Sequence, residues 1–456
     1  MRRIGLAIIL VLATCIILPL PSPAEFGLSG SLSNQLRVRL LQSDMPDDYD
    51  WDYTMLMTAL DVQGRAANEE KSARLFFDVD LRHDPTGVFE NDLEWRFREG
   101  YAGYYSPYVN FEMGKRVFAW GMADEYNPTD LINPEDYRWF MTFDRAERKI
   151  GVYNACLTLA YQNFYWQTVA VPYFEPAILA AEDSDWLPWE LEGFYSITNS
   201  FPDYVDLQVE RPDVEVQNTE LASRIHGLAG PVEFEAVYFN GYDQLPTFDV
   251  KIDPDPDLLL SGGKPLQIFQ QYQRYQAAGG SVAFSVSSFS FRGEGAYYTP
   301  RYWMYEIDPA LLSTDSLLGS LNSLLGLTDH VWRVRKPSWS AVGGFDWRQG
   351  TDLYLNLQYV HTQIIDREPE MIDQANEGLV TAKIQTTWLD QELEAGANGA
   401  YNVWHHDWYA KPYVRYKFTP ELSGELGVQL FGGEPKSRFG DMDDNDFAYT
   451  QIKYLF

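Results

Sequence analysis

The sequence predicts an all-β transmembrane barrel of about 18 antiparallel strands. Three observations carry this: an export-type leader, apolar residues at every second position, and links that are alternately short and long. Sixteen strands is the alternative count, because strand ends are the least defined feature of a sequence.

The leader comes first. Arg2 and Arg3 precede an apolar run from Ile4 to Leu20, which leads into Pro21-Ser22-Pro23-Ala24. This is the layout of a secretory signal peptide, with Ser22 and Ala24 in a small-x-small cleavage site. Residues 1–24 are therefore expected to be removed and 25–456 to form the barrel. A lipoprotein reading would use Cys15, but Thr14 is a poor residue before a lipidated cysteine and the apolar run continues beyond it.

Past Leu20 no apolar stretch approaches the roughly 20 residues that a spanning helix needs. Cleavage would leave Cys156 as the only cysteine, so no intramolecular disulfide is expected. A formal net charge of −31 at pH 7 argues against a nucleic-acid partner. The chain is rich in aromatics, with 30 tyrosines, yet its mean hydropathy is slightly polar. Strands that are half lipid-facing and half water-facing average out in this way.

The alternation is explicit in the first segment. Phe26, Leu28, Leu32, Leu36, Val38 and Leu40 occupy even positions, against Ser29, Ser31, Ser33, Gln35, Arg37 and Arg39. It returns in Leu75, Phe77, Val79 and Leu81 against Arg74, Asp78, Asp80 and Arg82, and in Leu93, Trp95, Phe97 and Tyr101 against Glu94, Arg96 and Arg98. Late examples are Phe345 and Trp347 against Asp346 and Arg348, and Val414, Tyr416 and Phe418 against Arg415 and Lys417. Period two means a strand with one apolar face.

Links separate a barrel from a soluble sandwich. Short ones fall near Ser106-Pro107, Gln162-Asn163, Gly230-Pro231, Ser287-Ser288, Gln349-Gly350, Asp390-Gln391 and Thr419-Pro420. Between them lie long polar stretches from Ala119 to Glu147, Phe174 to Asn218, Asp243 to Pro265, Pro300 to Lys336 and Ile365 to Asn376. Tight turns at one end and long loops at the other are the pattern of outer-membrane barrels. At the C-terminus Ala448, Thr450, Ile452, Tyr454 and Phe456 alternate, and the last residue is aromatic. This resembles the terminal strand of such barrels, in which the final Phe serves as the signal to the barrel-assembly machinery. No separate plug domain is visible.

One segment carries a family resemblance. Gly114-Lys115-Arg116-Val117-Phe118-Ala119-Trp120-Gly121 is followed by Asp124, by Asn127-Pro128-Thr129-Asp130 and by Ile132-Asn133-Pro134-Glu135-Asp136. The run resembles an uncharacterised proteobacterial porin-like family, and the resemblance implies an outer-membrane barrel without fixing a substrate. Read without the family, Asn-Pro followed two places later by Asp is a turn former, because Pro fixes φ and Asn or Asp can bond neighbouring amides. An ordered surface loop is one reading. The other is a loop folded into the lumen as a constriction, carrying Trp120, Asp124, Asn127, Asp130, Asn133, Glu135 and Asp136. Its acids would then stand opposite basic wall residues, by analogy with the third outside loop of general porins.

Strand parity points Arg96, Arg98, Arg116, Arg292, Arg348, Lys411 and Arg415 inward, with Glu94, Glu112, Glu294, Asp346 and Glu425. Such charges set selectivity in a water-filled channel, or pair with one another in a filled barrel. Acidic clusters at Asp44 to Asp50, Asp253 to Asp257 and Asp441 to Asp446 fall in outside loops; none has EF-hand spacing, and no metal or cofactor is assigned. The six histidines show no G-x-S-x-G element or metal-ligand spacing around them, so no enzyme is expected. The expected function is passive passage of small solutes through an outer-membrane channel, among lipid and lipopolysaccharide. The alternative is a non-conducting barrel with a binding or structural role. A homotrimer is compatible with a porin, and no residue is assigned to it.

Overall fold

The computed structural model describes residues 25–40, 53–86, 89, 92–182, 184–191, 195, 198, 202–203, 205–252, 263–264, 266–306 and 333–456. The leader, the acidic clusters at 44–50 and 253–257, and residues 307–332 lie outside them.

In chain order the strands are β1 (Glu25–Arg39), β2 (Tyr53–Ala67), β3 (Ala73–His83), β4 (Leu93–Tyr105), β5 (Val109–Arg116), β6 (Val152–Tyr161), β7 (Phe164–Val171), β8 (Val205–Glu210), β9 (Glu220–Ala229), β10 (Val232–Tyr242), β11 (Thr247–Ile252), β12 (Leu266–Gln271), β13 (Arg274–Val286), β14 (Phe289–Met304), β15 (Arg333–Gln349), β16 (Leu353–Ile364), β17 (Asn376–Trp388), β18 (Leu393–Asn402), β19 (Trp408–Lys417), β20 (Leu422–Gly432) and β21 (Phe447–Leu455). Eighteen of them form one antiparallel sheet that closes on itself, each pairing with the next barrel strand along the chain, β7 with β9 and β10 with β13 across the strands between them, and β1 pairing with β21. Closure leaves no sheet edge, which a span through hydrocarbon requires because lipid offers no hydrogen-bond partner.

The outer face is the apolar half of the alternation. Leu28, Trp95, Trp166, Ile225, Leu426 and Ile452 are each more than half exposed. Aromatics gather next to the short turns: Tyr161 and Phe164 flank one, and Phe284, Phe289 and Phe291 another. Such rings sit well where hydrocarbon meets headgroups. The inner face is polar, with Arg37, Asp78, Asp80, Glu235, Glu294 and Gln429 all buried.

The seven short links read from the sequence are turns of this sheet, and an eighth, from Asn68 to Ser72, joins β2 and β3. Gly230, at φ 62°, takes the left-handed conformation that a two-residue hairpin needs and that a Cβ disfavours. Three local readings are corrected. Asp78 pairs with Glu99 and Val79 with Phe97, so Arg98 is an extra residue in β4. This bulge flips the parity beyond it, and Tyr101 faces the lumen under the Arg116 guanidinium rather than facing lipid. Arg301–Met304 pair with Arg333–Lys336, so β14 and β15 extend into the stretch read as loop from Pro300 to Lys336. The loops read between Phe174 and Asn218 and between Asp243 and Pro265 also contain strands. There β8 lies parallel to β12, which is antiparallel to β11, in a separate three-stranded sheet.

The apolar interior lies inside the barrel, where loops meet the inner wall. One cluster joins Trp139 and Phe140 to Trp186, Phe431, Phe439 and Phe447. A second joins Phe118, Trp120 and Ile132 to Val169, Phe239, Tyr275 and Tyr298. Both include the connection from Val117 to Gly151, the 117–151 loop, which therefore folds inward between the walls.

Candidate channel constriction

The loop enters the lumen because the wall offers acceptors for its amides. Glu294 on β14, only 5% exposed, accepts from the backbone N–H of Met122 (2.7 Å), Ala123 (3.0 Å) and Thr129 (2.9 Å) and from the Thr129 hydroxyl (2.7 Å). Bonds to a charged acceptor are each worth about 1.5–3 kcal/mol. Glu235 on β10 accepts from the Gly121 N–H at 3.1 Å. Gly121 has φ 85°, and a Cβ built on it would stand 2.5 Å from a Glu294 oxygen. The Trp-Gly pair of the sequence motif thus has a physical reason: glycine permits the bend and the close approach to the carboxylate.

Trp120 is 1% exposed, donates from Nε1 to Gln167 at 3.2 Å and lies under the Arg224 guanidinium. Asn127 donates to the Trp120 carbonyl, and its own carbonyl accepts from the Asp130 N–H at 3.2 Å, which closes the Asn-Pro-Thr-Asp turn. Asn133 staples the two legs of the loop. Its Nδ2 donates to the carbonyls of Arg116 (3.0 Å) and Ile150 (2.8 Å), and its Oδ1 accepts from the Phe118 N–H (2.6 Å).

The loop acids divide into two groups. Asp124 and Asp136 reach the wall. Asp124 accepts from Arg292 (2.9 Å), Asn356 (2.7 Å) and Gln358 (2.7 Å), and Asp136 pairs with Arg96 (3.2 Å) and Arg138 (2.6 Å). Asp130 and Glu135 pair instead within the loop: Asp130 with Lys149 and Arg145, Glu135 with Arg145 (2.7 Å) and Arg148 (3.2 Å). Burial pushes the Asp136 carboxyl up, but hydrogen bonds and charge from Arg138, with Arg96 beside it, outweigh this and hold it below the usual range. Burial also lowers Lys149, against the opposing pull of Asp130.

The wall residues are largely paired as well. Arg116 pairs with Glu112 on its own strand, and Arg98 donates to the Ala146 carbonyl at 3.1 Å. Arg292 bridges Asp124 and Asp346. Arg415 bridges Glu394 and Glu425, and Lys411 donates to the Thr142 carbonyl at 3.3 Å. Arg348 stacks on Tyr354 at 4.8 Å. Phe456 lies far from this site, at the short-turn end, bonded to β1.

The residues that sequence parity did not single out are mostly the loop's own cations, Arg138, Arg145, Arg148 and Lys149, together with Glu235, Asn356, Gln358 and Lys383. Four basic residues in the stretch that also holds Asp130, Glu135 and Asp136 were the available signal for internal pairing. The side on which Asp124 is held shows in the solvent exposure of its side chain, 47%, against 4% for Asp130 and 3% for Asp136. Asp124, where the loop meets β14 and β16, is one exposed part of it; Asp144, Ala146 and Glu147 are another.

This arrangement, a closed 18-stranded barrel with an apolar outside and a loop bonded across a charged interior, is that of an outer-membrane barrel of porin type. The outer membrane protein OpdK of Pseudomonas aeruginosa has a similar fold, with a TM-score of 0.51 over 95% of this chain and 98% of that one, at 9% identity. OccK8 (OprE) of the same organism and OccAB4 of Acinetobacter baumannii each match with a TM-score of 0.50 at 7% identity. They cover 95% of this chain and 98% and 99% of theirs. No protein-family model and no curated protein matches the chain in sequence.

Proposed function

We propose that the protein is an outer-membrane channel for passive passage of small hydrophilic solutes, constricted by the 117–151 loop. The observation that carries this reading is the asymmetry of the interior: the loop is bonded to the wall through Glu294, while Asp124 of that loop and the wall residues Arg292 and Arg415 keep side-chain exposures of 47%, 28% and 40%. Charged side chains that keep water inside an apolar-faced barrel are what a conducting lumen needs. Export would use residues 1–24 as a signal peptide, and insertion would use the strand ending at Phe456 as the address for the assembly machinery. The mature barrel would then sit among lipid and lipopolysaccharide.

A second reading is favoured by the apolar cluster that joins Trp139 and Phe140 to other loops and to β20 and β21. A lumen filled that way would make the protein a non-conducting barrel with a binding or structural role. Single-channel recording of refolded 25–456 in a planar bilayer separates the two. Steady unitary current supports the channel. Silence from protein that migrates as a heat-modifiable, folded barrel supports the filled one.

A further inference from the structure

The inner wall near the short turns of β13 to β20 is a row of satisfied networks with one gap. On one side Arg292 bridges Asp124 and Asp346, and Asp346 also accepts from Tyr354 (2.8 Å) and Asn356 (2.6 Å). On the other Arg415 bridges Glu394 and Glu425, and Glu394 also accepts from Gln385 (2.9 Å) and Tyr413 (2.9 Å). Between them a cavity of about 210 Å³ is lined by Arg348, Tyr354, Lys383, Gln385 and Asp352. Parity places Lys383 on the lumen side, since it pairs across with Asn356.

Among the described residues neither Arg348 nor Lys383 has a carboxylate within ion-pair distance, and both are exposed. Three of the remaining lining groups each make one hydrogen bond. The Tyr354 hydroxyl and the Gln385 amide donate to the flanking carboxylates, and Asp352 accepts from the Thr351 hydroxyl. The Asp352 carboxylate and the Gln385 carbonyl keep acceptor capacity, but the charge of the lining is two cations against one carboxylate, a single net positive charge. In a chain of net charge −31, two unpaired inward cations at one cavity are a local reversal of sign.

We propose that Arg348 and Lys383 form a transit site for the oxyanion group of a passing solute, a carboxylate or a phosphate. This rests on the channel reading and names the chemistry that its lumen favours. The guanidinium presents paired N–H donors that match two oxygens of such a group, and the ammonium supplies a point charge on the other side. The Arg348 guanidinium carbon lies 4.8 Å from the Tyr354 ring centroid, a cation–π contact that keeps the head group at the cavity before a solute arrives. Chloride could meet the same charges, but it cannot use the paired donor geometry.

The test is chloride current through the refolded protein in a planar bilayer, with inorganic phosphate or acetate added at constant ionic strength. Each anion is expected to reduce the current reversibly. The double variant Arg348→Gln/Lys383→Gln should weaken that reduction and lower the anion-to-cation permeability ratio, each by roughly threefold, the scale of one screened charge at close range. Arg348→Lys is expected to keep the permeability ratio but lose part of the block, and Lys251→Gln on β11 to change neither. Block by phosphate alone or by acetate alone identifies which oxyanion the site takes. A conducting channel with no block by either, or with block unchanged in the double variant, overturns the site and leaves the channel reading intact. If no current appears the channel reading falls. Phosphate titration of the folded protein by calorimetry then decides the site: binding lost in the double variant supports it, and no heat overturns it.

Discussion

The Phe456 ring lies over Gly30. The two residues exchange backbone hydrogen bonds of 2.9 and 3.0 Å, and a Cβ on Gly30 would stand 2.7 Å from the ring and 2.3 Å from the Asp61 carbonyl oxygen. The residue that ends the chain is thus fitted against the strand that closes the barrel, and only glycine leaves it room.

Gly30→Val is therefore expected to impair closure, because its side chain meets fixed backbone on β2 as well as the ring. Unboiled protein should lose its fast-migrating band in detergent electrophoresis or show it only in part. Phe456→Ala should spare the folded band of protein refolded in detergent, since the ring is half exposed, and full loss of that band would contradict this.

Glu294→Ala removes the acceptor of four loop donors and leaves three amides without one, that of Thr129 buried and those of Met122 and Ala123 partly so. It is expected to cost on the order of 3 kcal/mol in the attachment of the loop while the sheet stays closed. Protease cleavage between Met122 and Thr129 should appear in the variant and not in the parent, with heat-modifiable migration unchanged. A variant as resistant as the parent would mean that other contacts hold the loop.

Asp124→Ala frees Arg292, Asn356 and Gln358 from their shared partner and takes a negative charge out of the wetted part of the lumen. Unitary conductance should rise and selectivity should shift toward anions, by about twofold. A shift toward cations would place the passage elsewhere.

Asp136 gives the loop a pH dependence. Its folded pKa lies below the ordinary carboxylate value, so ionisation stabilises the folded state above that ordinary value. The contribution is lost as pH falls from the usual range near 4 through the depressed folded value. Acidification below about pH 4 should change the fluorescence of neighbouring Trp139, and Asp136→Asn should show the loosened signal already at neutral pH. A neutral-pH spectrum identical to the parent's would refute the role of the pair.

Much of the barrel was legible because lipid and water impose a strict period of two. Leu28, Leu32, Asp78, Asp80 and Arg415 could be assigned to a face by counting alone. Counting failed at Arg98, because a bulge adds a residue without any mark in composition, and every face beyond it in β4 reversed. It also failed in the two long stretches from Phe174 to Asn218 and from Asp243 to Pro265, the second leading into β12. There β8, β11 and β12 pack on one another rather than on lipid, so their pattern is set by a small local core of Val205, Phe248 and Ile268. In the loop, the turn was readable at Asn127 but not at Asn133, where Glu135 and Asp136 run extended in bridges to Lys149 and Ile178 and the Asn133 side chain ties the two legs instead; partners were not readable. Which cation takes Asp130 depends on how the loop doubles back to bring Lys149 beside it, and spacing along the chain does not report that.

The attachments of the 117–151 loop have a consequence in time. Thr129 and Glu294 are 165 positions apart, and Asp124 and Gln358 are 234 apart. On the other side Arg37 of β1 donates to Thr142 at 2.8 Å. A chain that adds strands in order must hold this segment, with its acids and cations, beside a wall that does not yet exist. Contacts so distant in sequence form slowly because their loop-closure entropy is paid first. The interior should therefore consolidate after the sheet has closed, as a separate slow phase in which tryptophan burial at Trp120 and Trp139 lags behind the appearance of the fast-migrating, heat-modifiable band.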